Sequence, residues 1–132
     1  MTLRGRCLCG AVTWTFEGMP DAATACNCTA CRRYGALWIY DFEGERVSYA
    51  GPTTAFVRSD LAEAPYLENR FCSTCGNLVC WRGLEPQADG RRRMAVVLCW
   101  HWQGFGNLQT EGEQTAAQLV RRVVQARYRR CS

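Results

Sequence analysis

Hydrophobic and polar residues alternate along several short segments, a pattern that predicts a protein built mainly of β-strands. In segment 11–16, Val12, Trp14 and Phe16 alternate with smaller or polar residues, as expected for a strand with one buried face. Further β-rich stretches follow at Ala36–Tyr40, Arg46–Ala50, Thr54–Arg58, Leu78–Arg82 and Met94–Trp102. Turn signals rich in glycine and proline separate these stretches, so we expect a small sandwich or folded-over sheet.

The last part of the chain has a helical pattern instead. Thr110 and Glu113 have the spacing of a capping box, which marks the start of a helix. Apolar residues then recur every three or four positions, at Leu119, Val120, Val123, Val124 and Tyr128. We predict a C-terminal amphipathic helix that packs on the sheet, with binding to a membrane surface or a partner helix as the alternative.

Length and composition describe a single soluble domain, spanning residues 1–132. The chain is 48% hydrophobic and 21% charged, and no apolar run approaches the roughly 18 residues of a membrane span. No apolar segment follows the basic N-terminus, so we expect no secretory signal and a cytoplasmic location. In a reducing compartment, ten cysteines favour metal binding over disulfides.

Seven of the ten cysteines form three short clusters. These are Cys7 and Cys9, then Cys26, Cys28 and Cys31, then Cys72 and Cys75. The last pair is a Cys-x-x-Cys-Gly knuckle, whose spacing lets both sulfurs reach one tetrahedral ion at about 2.3 Å. Gly76 allows the positive φ that such a tight turn requires. The knuckle needs two more thiolates, and either of the other clusters can supply them.

Seven ligands cannot complete two four-cysteine sites, so we predict two Zn²⁺ sites of different kinds. One would be closed and structural, and the other would keep three sulfurs and an open position, as catalytic zinc does. Cys80, Cys99 or Cys131 could complete the smaller set, although we expect core positions for the first two and a free thiol for the third. Disulfides, a redox-active knuckle and an iron–sulfur cluster are weaker alternatives.

The three clusters, in this order and at these separations, resemble the glutathione-dependent formaldehyde-activating enzyme family. The matching stretches lie at 5–12, 26–36 and 70–77, and the resemblance covers about residues 3–98 but not 99–132. It implies a β-tent-like fold of short antiparallel sheets stapled by zinc. It also assigns Cys7, Cys9, Cys72 and Cys75 to the structural zinc, and Cys26, Cys28 and Cys31 to the open zinc.

The resemblance implies a carbon–sulfur lyase-type enzyme that acts on a small thiol, such as glutathione, and an aldehyde, such as formaldehyde. Three anionic sulfurs weaken zinc as a Lewis acid, so we favour delivery of the substrate as a thiolate. Arg32 and Arg33 follow the open site and are candidates for binding a substrate carboxylate, or else solvated surface charges. Asn27 stands where family members often have His; it could hydrogen-bond near the metal but cannot shuttle a proton.

Other functions remain as alternatives. A non-catalytic zinc scaffold would use both metals structurally. Arg91–Arg93 and the arginine-rich tail raise nucleic-acid binding, but the net charge of +4 falls to about +1 when seven thiolates hold two Zn²⁺, and no base-stacking motif is present. His101 is a candidate acid–base group or a buried edge residue. The identity of the thiol and the aldehyde and the oligomeric state are left open.

Overall fold

The computed structural model describes residues 2–26, 28–60, 64–99 and 109–110, and these residues form two antiparallel sheets and one short helix. The elements are β1 Thr2–Arg6, β2 Thr13–Glu17, β3 Thr24–Ala25, α1 Thr29–Tyr34, β4 Ala36–Phe42, β5 Val47–Ala50, β6 Thr53–Val57, β7 Leu67–Cys72, β8 Leu78–Gly83, β9 Arg93–Cys99 and β10 Gln109–Thr110. The prediction of a mainly β protein with short antiparallel sheets is confirmed.

The two sheets differ in size. The smaller has the strand order β10-β1-β2-β5, and the larger has the order β3-β4-β9-β8-β7-β6. Every strand pairing is antiparallel. Strands β4, β9 and β8 lie in the inner part of the larger sheet, and buried residues of these strands belong to an apolar cluster on each face of the sheet.

The main core lies between the two sheets. Leu3 and Phe16 from the smaller sheet and Ile39, Met94 and Val96 from the larger sheet are completely buried and belong to one apolar cluster. Burial of each such side chain stabilises the fold by roughly 1.5–3 kcal/mol relative to exposure. The period of two in segment 11–16 therefore marks a buried face, as predicted.

Strand β4 explains how the other face of the larger sheet acquires its aromatic residues. Because side chains alternate along a strand, Leu37 and Ile39 face the main core, whereas Trp38 and Tyr40 point to the opposite side. There, Tyr40 packs against Trp81 of β8 with their ring centroids 5.8 Å apart. This second face is the floor of the candidate site.

Gly5 permits a close contact within the smaller sheet. It is the direct cross-strand partner of Trp14, and a Cβ atom at Gly5 would overlap the indole ring. The indole therefore fills the space that a side chain would otherwise occupy. At this position of β1, the apolar cover therefore comes from Trp14 of the partner strand.

Some predictions concern residues outside the described part of the chain. The predicted C-terminal helix, the capping-box residue Glu113 and the end of the predicted strand Met94–Trp102 belong to this group. Among the described residues, no helix has the length and apolar character needed to cross a membrane.

Candidate metal centres

Two tight turns bring four thiols together at the edge of the main core. In the first, the N–H of Cys7 donates to Val12 O (2.9 Å) and the N–H of Val12 donates to Cys7 Sγ (3.3 Å). In the second, Cys72 N–H donates to Asn77 O (2.9 Å) and Thr74 N–H to Cys72 Sγ (3.4 Å). Both turns are therefore closed by a bond from the first cysteine to the residue five positions later, and in both a backbone N–H donates to the sulfur of that cysteine.

The four sulfurs have the separation that a tetrahedral metal ion requires. Cys9 Sγ lies 3.6 Å from Cys7 Sγ and 3.7 Å from Cys72 Sγ, and all four Sγ atoms, including that of Cys75, lie within 4.8 Å of one another. In a tetrahedron with zinc–sulfur bonds of 2.3 Å, neighbouring sulfurs are about 3.8 Å apart. The residues thus fit a four-thiolate zinc site, which we call the closed cluster.

The closed cluster also favours ionised sulfur at Cys75. Backbone N–H groups of Cys9 and Asn77 lower the pKa of the Cys75 thiol to about 6. The N–H of Ala11 acts to lower the pKa of Cys9, but burial and the three neighbouring thiols raise it to about 11. The four sulfurs therefore do not ionise equally by themselves, and the donor set is what shows that this cluster could hold a metal ion.

Cys26, Cys28 and Cys31 form a second group, which we call the open cluster. Cys26 directly follows β3, Cys28 is the N-cap residue of α1, and Cys31 lies in the first turn of that helix. The three Sγ atoms lie within 4.8 Å of one another. The helix ends after six residues at Gly35, which has a left-handed φ of 62°. The end of β3 and the start of α1 thus supply three soft donors from six consecutive positions.

Hydrogen-bond donors surround the sulfurs of the open cluster. The Cys31 N–H donates to Cys28 Sγ over 3.4 Å, and Trp38 Nε1–H donates to Cys31 Sγ over 3.3 Å. Arg58 Nη1 lies 4.0 Å from Cys28 Sγ. Partial burial is the largest single effect and raises the pKa of Cys28, but hydrogen bonds from the N–H groups of Cys31 and Ala30 and from the neighbouring thiols together outweigh it, and the net shift is downward. The surroundings thus favour a thiolate at Cys28.

Asp60 fixes the position of Arg58. Its carboxylate accepts hydrogen bonds from Arg58 Nε (2.9 Å) and Nη2 (2.6 Å), an arrangement in which two parallel bonds set the plane of the guanidinium. The Arg58 side chain is 13% exposed, whereas that of Asp60 is 56% exposed. Arg58 therefore presents its remaining Nη1 edge to the open cluster from a fixed direction.

The open cluster lies at one end of a cleft. A cavity of about 200 Å³ is lined by Cys26, Cys28, Ala30, Cys31, Trp38, Tyr40, Arg58, Tyr66, Leu67, Asn69 and Trp81. A neighbouring cavity of about 680 Å³ is lined by Asp21, Ala22, Thr24, Tyr40, Tyr66, Trp81, Gly83, Glu85, Gln87 and Arg93. Because Tyr40, Tyr66 and Trp81 line both, the cavities adjoin, and together they have the size of ordinary small-molecule sites.

The sequence model of the glutathione-dependent formaldehyde-activating enzyme family matches residues 2–117. The chain belongs to this family. The match extends beyond residue 98, into a region where we find no family pattern by inspection of the motifs.

A solved structure supports the fold of this family member. A crystal structure of a Rhodobacter sphaeroides protein is similar over 76% of this chain and 88% of that chain, with a TM-score of 0.54 and 21% sequence identity. At this identity the likeness concerns the fold alone. A comparison with curated proteins gives no significant match.

The structure brings all seven predicted cysteine ligands into two groups, and each group could hold a metal ion. Cys80 is completely buried in the main core and belongs to neither group. The side chain of Cys99 and the residues Asn27, His101 and Cys131 lie outside what the structure describes.

The sequence suggested Arg32 and Arg33 as substrate-binding residues, but the arginine that lies beside the open cluster is Arg58. Arg32 and Arg33 are exposed on α1, and Arg33 Nη1 donates to Thr29 O over 2.9 Å. Neither lines the 200 Å³ cavity, whereas Arg58 does. Sequence reasoning missed Arg58, Trp38 and Asn69, because each belongs to a strand or strand end with no local sign of a site.

Proposed function

We propose that this chain is an enzyme that joins a small thiol to an aldehyde, in the class of carbon–sulfur lyases, with glutathione and formaldehyde as the first pair to test. The observation that carries the proposal is the placement of the open cluster at the end of a cleft, with three sulfurs from the described part of the chain. Membership in a family named for this activity supports it.

We assign different roles to the two clusters. The closed cluster has four donors at tetrahedral spacing, so a zinc ion there would have no free position and would act structurally. The open cluster has three donors and faces a cavity, so its zinc would keep a position for a ligand. When bound, a cation at the open cluster would lower the pKa of an incoming thiol and so make it nucleophilic at neutral pH.

The positive charge of Arg58 favours the binding of an anionic substrate sulfur at the open cluster. Three thiolates around one Zn²⁺ leave a net charge of about −1, which disfavours a fourth anionic ligand. The guanidinium of Arg58, 4.0 Å from Cys28 Sγ, offsets this charge from within the cavity wall. Arg58 therefore supplies positive charge next to the sulfurs, a role different from the carboxylate binding that the sequence suggested for Arg32 and Arg33.

The larger cavity suits the rest of a thiol such as glutathione, which carries two carboxylates and one ammonium group. Its wall offers Arg93 to a carboxylate, and Asp21 and Glu85 to an ammonium group. Between these charges and the open cluster, Tyr40 and Trp81 provide an apolar surface that excludes water. A charged thiol of peptide size can thus extend from one cavity into the other. We place this activity in the cytoplasm, where thiols stay reduced.

The test is kinetic. Purified zinc-loaded protein is mixed with glutathione and formaldehyde, and formation of S-hydroxymethylglutathione is followed by NMR against the spontaneous reaction. We expect a rate above background that saturates with both substrates and is lost in Cys28→Ser. A wild-type rate equal to background, with both metals bound, would leave a non-catalytic zinc scaffold as the better explanation.

A further inference from the structure

Asn69 is a polar residue on the cavity face of the larger sheet. It lies in β7 directly opposite Trp81 of β8, and cross-strand partners point to the same face of a sheet. Leu67, two residues earlier, also lines the 200 Å³ cavity, as the alternation along a strand requires. The side chain of Asn69 therefore points towards the space beside the open cluster.

The carboxamide of Asn69 is buried and has no partner within the described chain. The residue is 4% exposed, and no side-chain hydrogen bond joins it to another residue of the part that the structure describes. Among the described residues, Arg82 Nε is the one side-chain atom that is both inaccessible to solvent and without a hydrogen-bond partner. The polar atoms of the Asn69 carboxamide have no partner either, so they must be accessible to solvent. Its remaining access is therefore to the cavity.

Such a group is costly in a protein that does not use it. A buried amide without a protein partner depends on cavity water for its hydrogen bonds, whereas an apolar side chain at the same place would need none. An apolar residue of similar size, such as leucine, would suit the apolar wall formed with Trp81 and Leu67. The arrangement is consistent with a ligand oxygen that completes the hydrogen bonding of Asn69.

Two other donors of this cavity are already engaged. The Trp38 indole N–H donates to Cys31 Sγ, and the guanidinium of Arg58 is held by Asp60 and faces Cys28 Sγ. Both side chains therefore direct a donor to a cysteine sulfur of the open cluster. Among the described residues, no sulfur or carboxylate accepts a hydrogen bond from the NH₂ group of Asn69.

We propose that Asn69 binds the oxygen atom of the carbonyl substrate, an inference that rests on the proposed function. In the reaction, a C–S bond forms between the thiol sulfur and the carbonyl carbon, and the π electron pair of C=O moves to oxygen. The proton released from the thiol reaches that oxygen through solvent, so thiol and aldehyde give the hydroxymethyl thioether without further reactants. The Asn69 NH₂ group donates to the oxygen as its negative charge develops.

The key variant is Asn69→Leu, which keeps the size of the side chain but removes both hydrogen-bonding groups. Two unreactive ligands, 2-mercaptoethanol and ethanethiol, are titrated calorimetrically into zinc-loaded protein, because they differ only by a hydroxyl oxygen. We expect the ratio of their affinities to shift by about fivefold against 2-mercaptoethanol in the variant, the size of one lost hydrogen bond. Thr54→Val, on strand β6 outside the cavity, serves as the matched polar-to-apolar control and keeps the wild-type ratio.

The kinetic arm measures kcat/KM for the aldehyde at saturating thiol. We expect Asn69→Leu to lower it by about 100-fold, as loss of one oxyanion donor does, with full metal content and an unchanged or higher Tm. An affinity ratio that stays at the wild-type value, or equal weakening of both ligands, overturns the role of Asn69. If the wild type shows no adduct formation but the ratio still shifts in Asn69→Leu, the proposed reaction fails while the oxygen-binding role of Asn69 stands.

Discussion

The indole N–H of Trp38 donates a hydrogen bond to Cys31 Sγ over 3.3 Å, and the Trp38 side chain is almost completely buried. Burial raises the pKa of the Cys31 thiol, and the Trp38 hydrogen bond acts in the opposite direction. A strand at the centre of the larger sheet thus fixes the position of a sulfur on a helix of only six residues. The geometry of the open cluster depends on this contact as much as on cysteine spacing.

Removal of this hydrogen bond tests its role. Trp38→Phe keeps an aromatic ring but deletes the donor, so we expect metal affinity at the open cluster to fall about tenfold, as losses of outer hydrogen bonds at metal sites do. Competition with a chromophoric chelator measures this affinity. Trp81→Phe is the matched control, because Trp81 lines the same cavity but donates no hydrogen bond to a sulfur among the described residues. Equal weakening in both variants would point to packing as the cause.

The charge of Arg58 can be tested against that of an exposed arginine. We expect Arg58→Gln to weaken glutathione binding about tenfold, because the variant loses a charge that offsets the thiolates of the open cluster. We expect Arg33→Gln to stay close to wild type, because Arg33 lies outside the cavity. Calorimetric titration at two salt concentrations compares the variants. If Arg33→Gln has the larger effect, the placement of the substrate needs revision.

The two cysteine clusters should respond differently to the loss of one ligand. Cys72→Ser breaks the closed cluster, which joins turns from both sheets, so we expect an unfolded or strongly destabilised protein. Cys28→Ser should leave a folded domain with about one zinc fewer. Native mass spectrometry counts the metals, and circular dichroism reports the fold. The control is Cys80→Ala, a change outside both clusters, which should retain both metals. If Cys28→Ser unfolds, a scaffold with two structural metals becomes the better explanation.

Cys80 gives a prediction for the pH dependence of stability. Burial raises the pKa of its thiol to about 12, whereas a thiol in the unfolded chain ionises near 8.5. Between these two pH values the Cys80 thiol loses its proton in the unfolded state but keeps it in the folded state. The free energy of unfolding therefore decreases as pH rises from about 9 to 12, and Cys80 accounts for part of this decrease. Urea unfolding at pH 8 and pH 10.5 should show a smaller decrease in Cys80→Ala than in wild type. A decrease of the same size in both would place the alkaline sensitivity elsewhere.

The contact between Gly5 and Trp14 also has a measurable consequence. A methyl group at Gly5 would overlap the indole ring, so Gly5→Ala forces a shift of Trp14, which is a core residue. We expect a loss of about 1–3 kcal/mol in the free energy of unfolding, the usual cost of overpacking. Chemical denaturation measures it, with Arg6→Ala on the exposed side of the same strand as the control. A loss no larger than that of Arg6→Ala would mean that the indole moves freely.

Strands with a clear apolar alternation could be predicted, and those that depend on their neighbours could not. β1 was missed because Leu3 is its only large apolar residue, and Trp14 of the next strand covers Gly5. β7 was missed because Glu68 and Arg70 interrupt its apolar pattern, although they neutralise each other in an ion pair. α1 is too short for a helical period to be visible.

In the candidate site, too, residues that are close in sequence could be predicted, whereas residues brought together by the fold could not. The cysteine clusters were visible because their ligands are close in sequence, where spacing limits the possible geometry. Arg58, Trp38 and Asn69 come from three different strand regions and meet only because of the order β4-β9-β8-β7-β6 in the larger sheet. No local pattern encodes that order. The residues around the sulfurs could therefore be found only once the topology was known.

The closed cluster has a consequence for how the chain matures. Cys9 and Cys72 are 63 positions apart, although their sulfurs lie within 3.7 Å. At about 5–20 residues per second, a ribosome needs several seconds to make the intervening segment. During this interval the first two thiols exist without their partners and are open to oxidation or to capture by other metals. With zinc as the proposed metal, we therefore expect the zinc supply during translation to change the fraction of chains that become native.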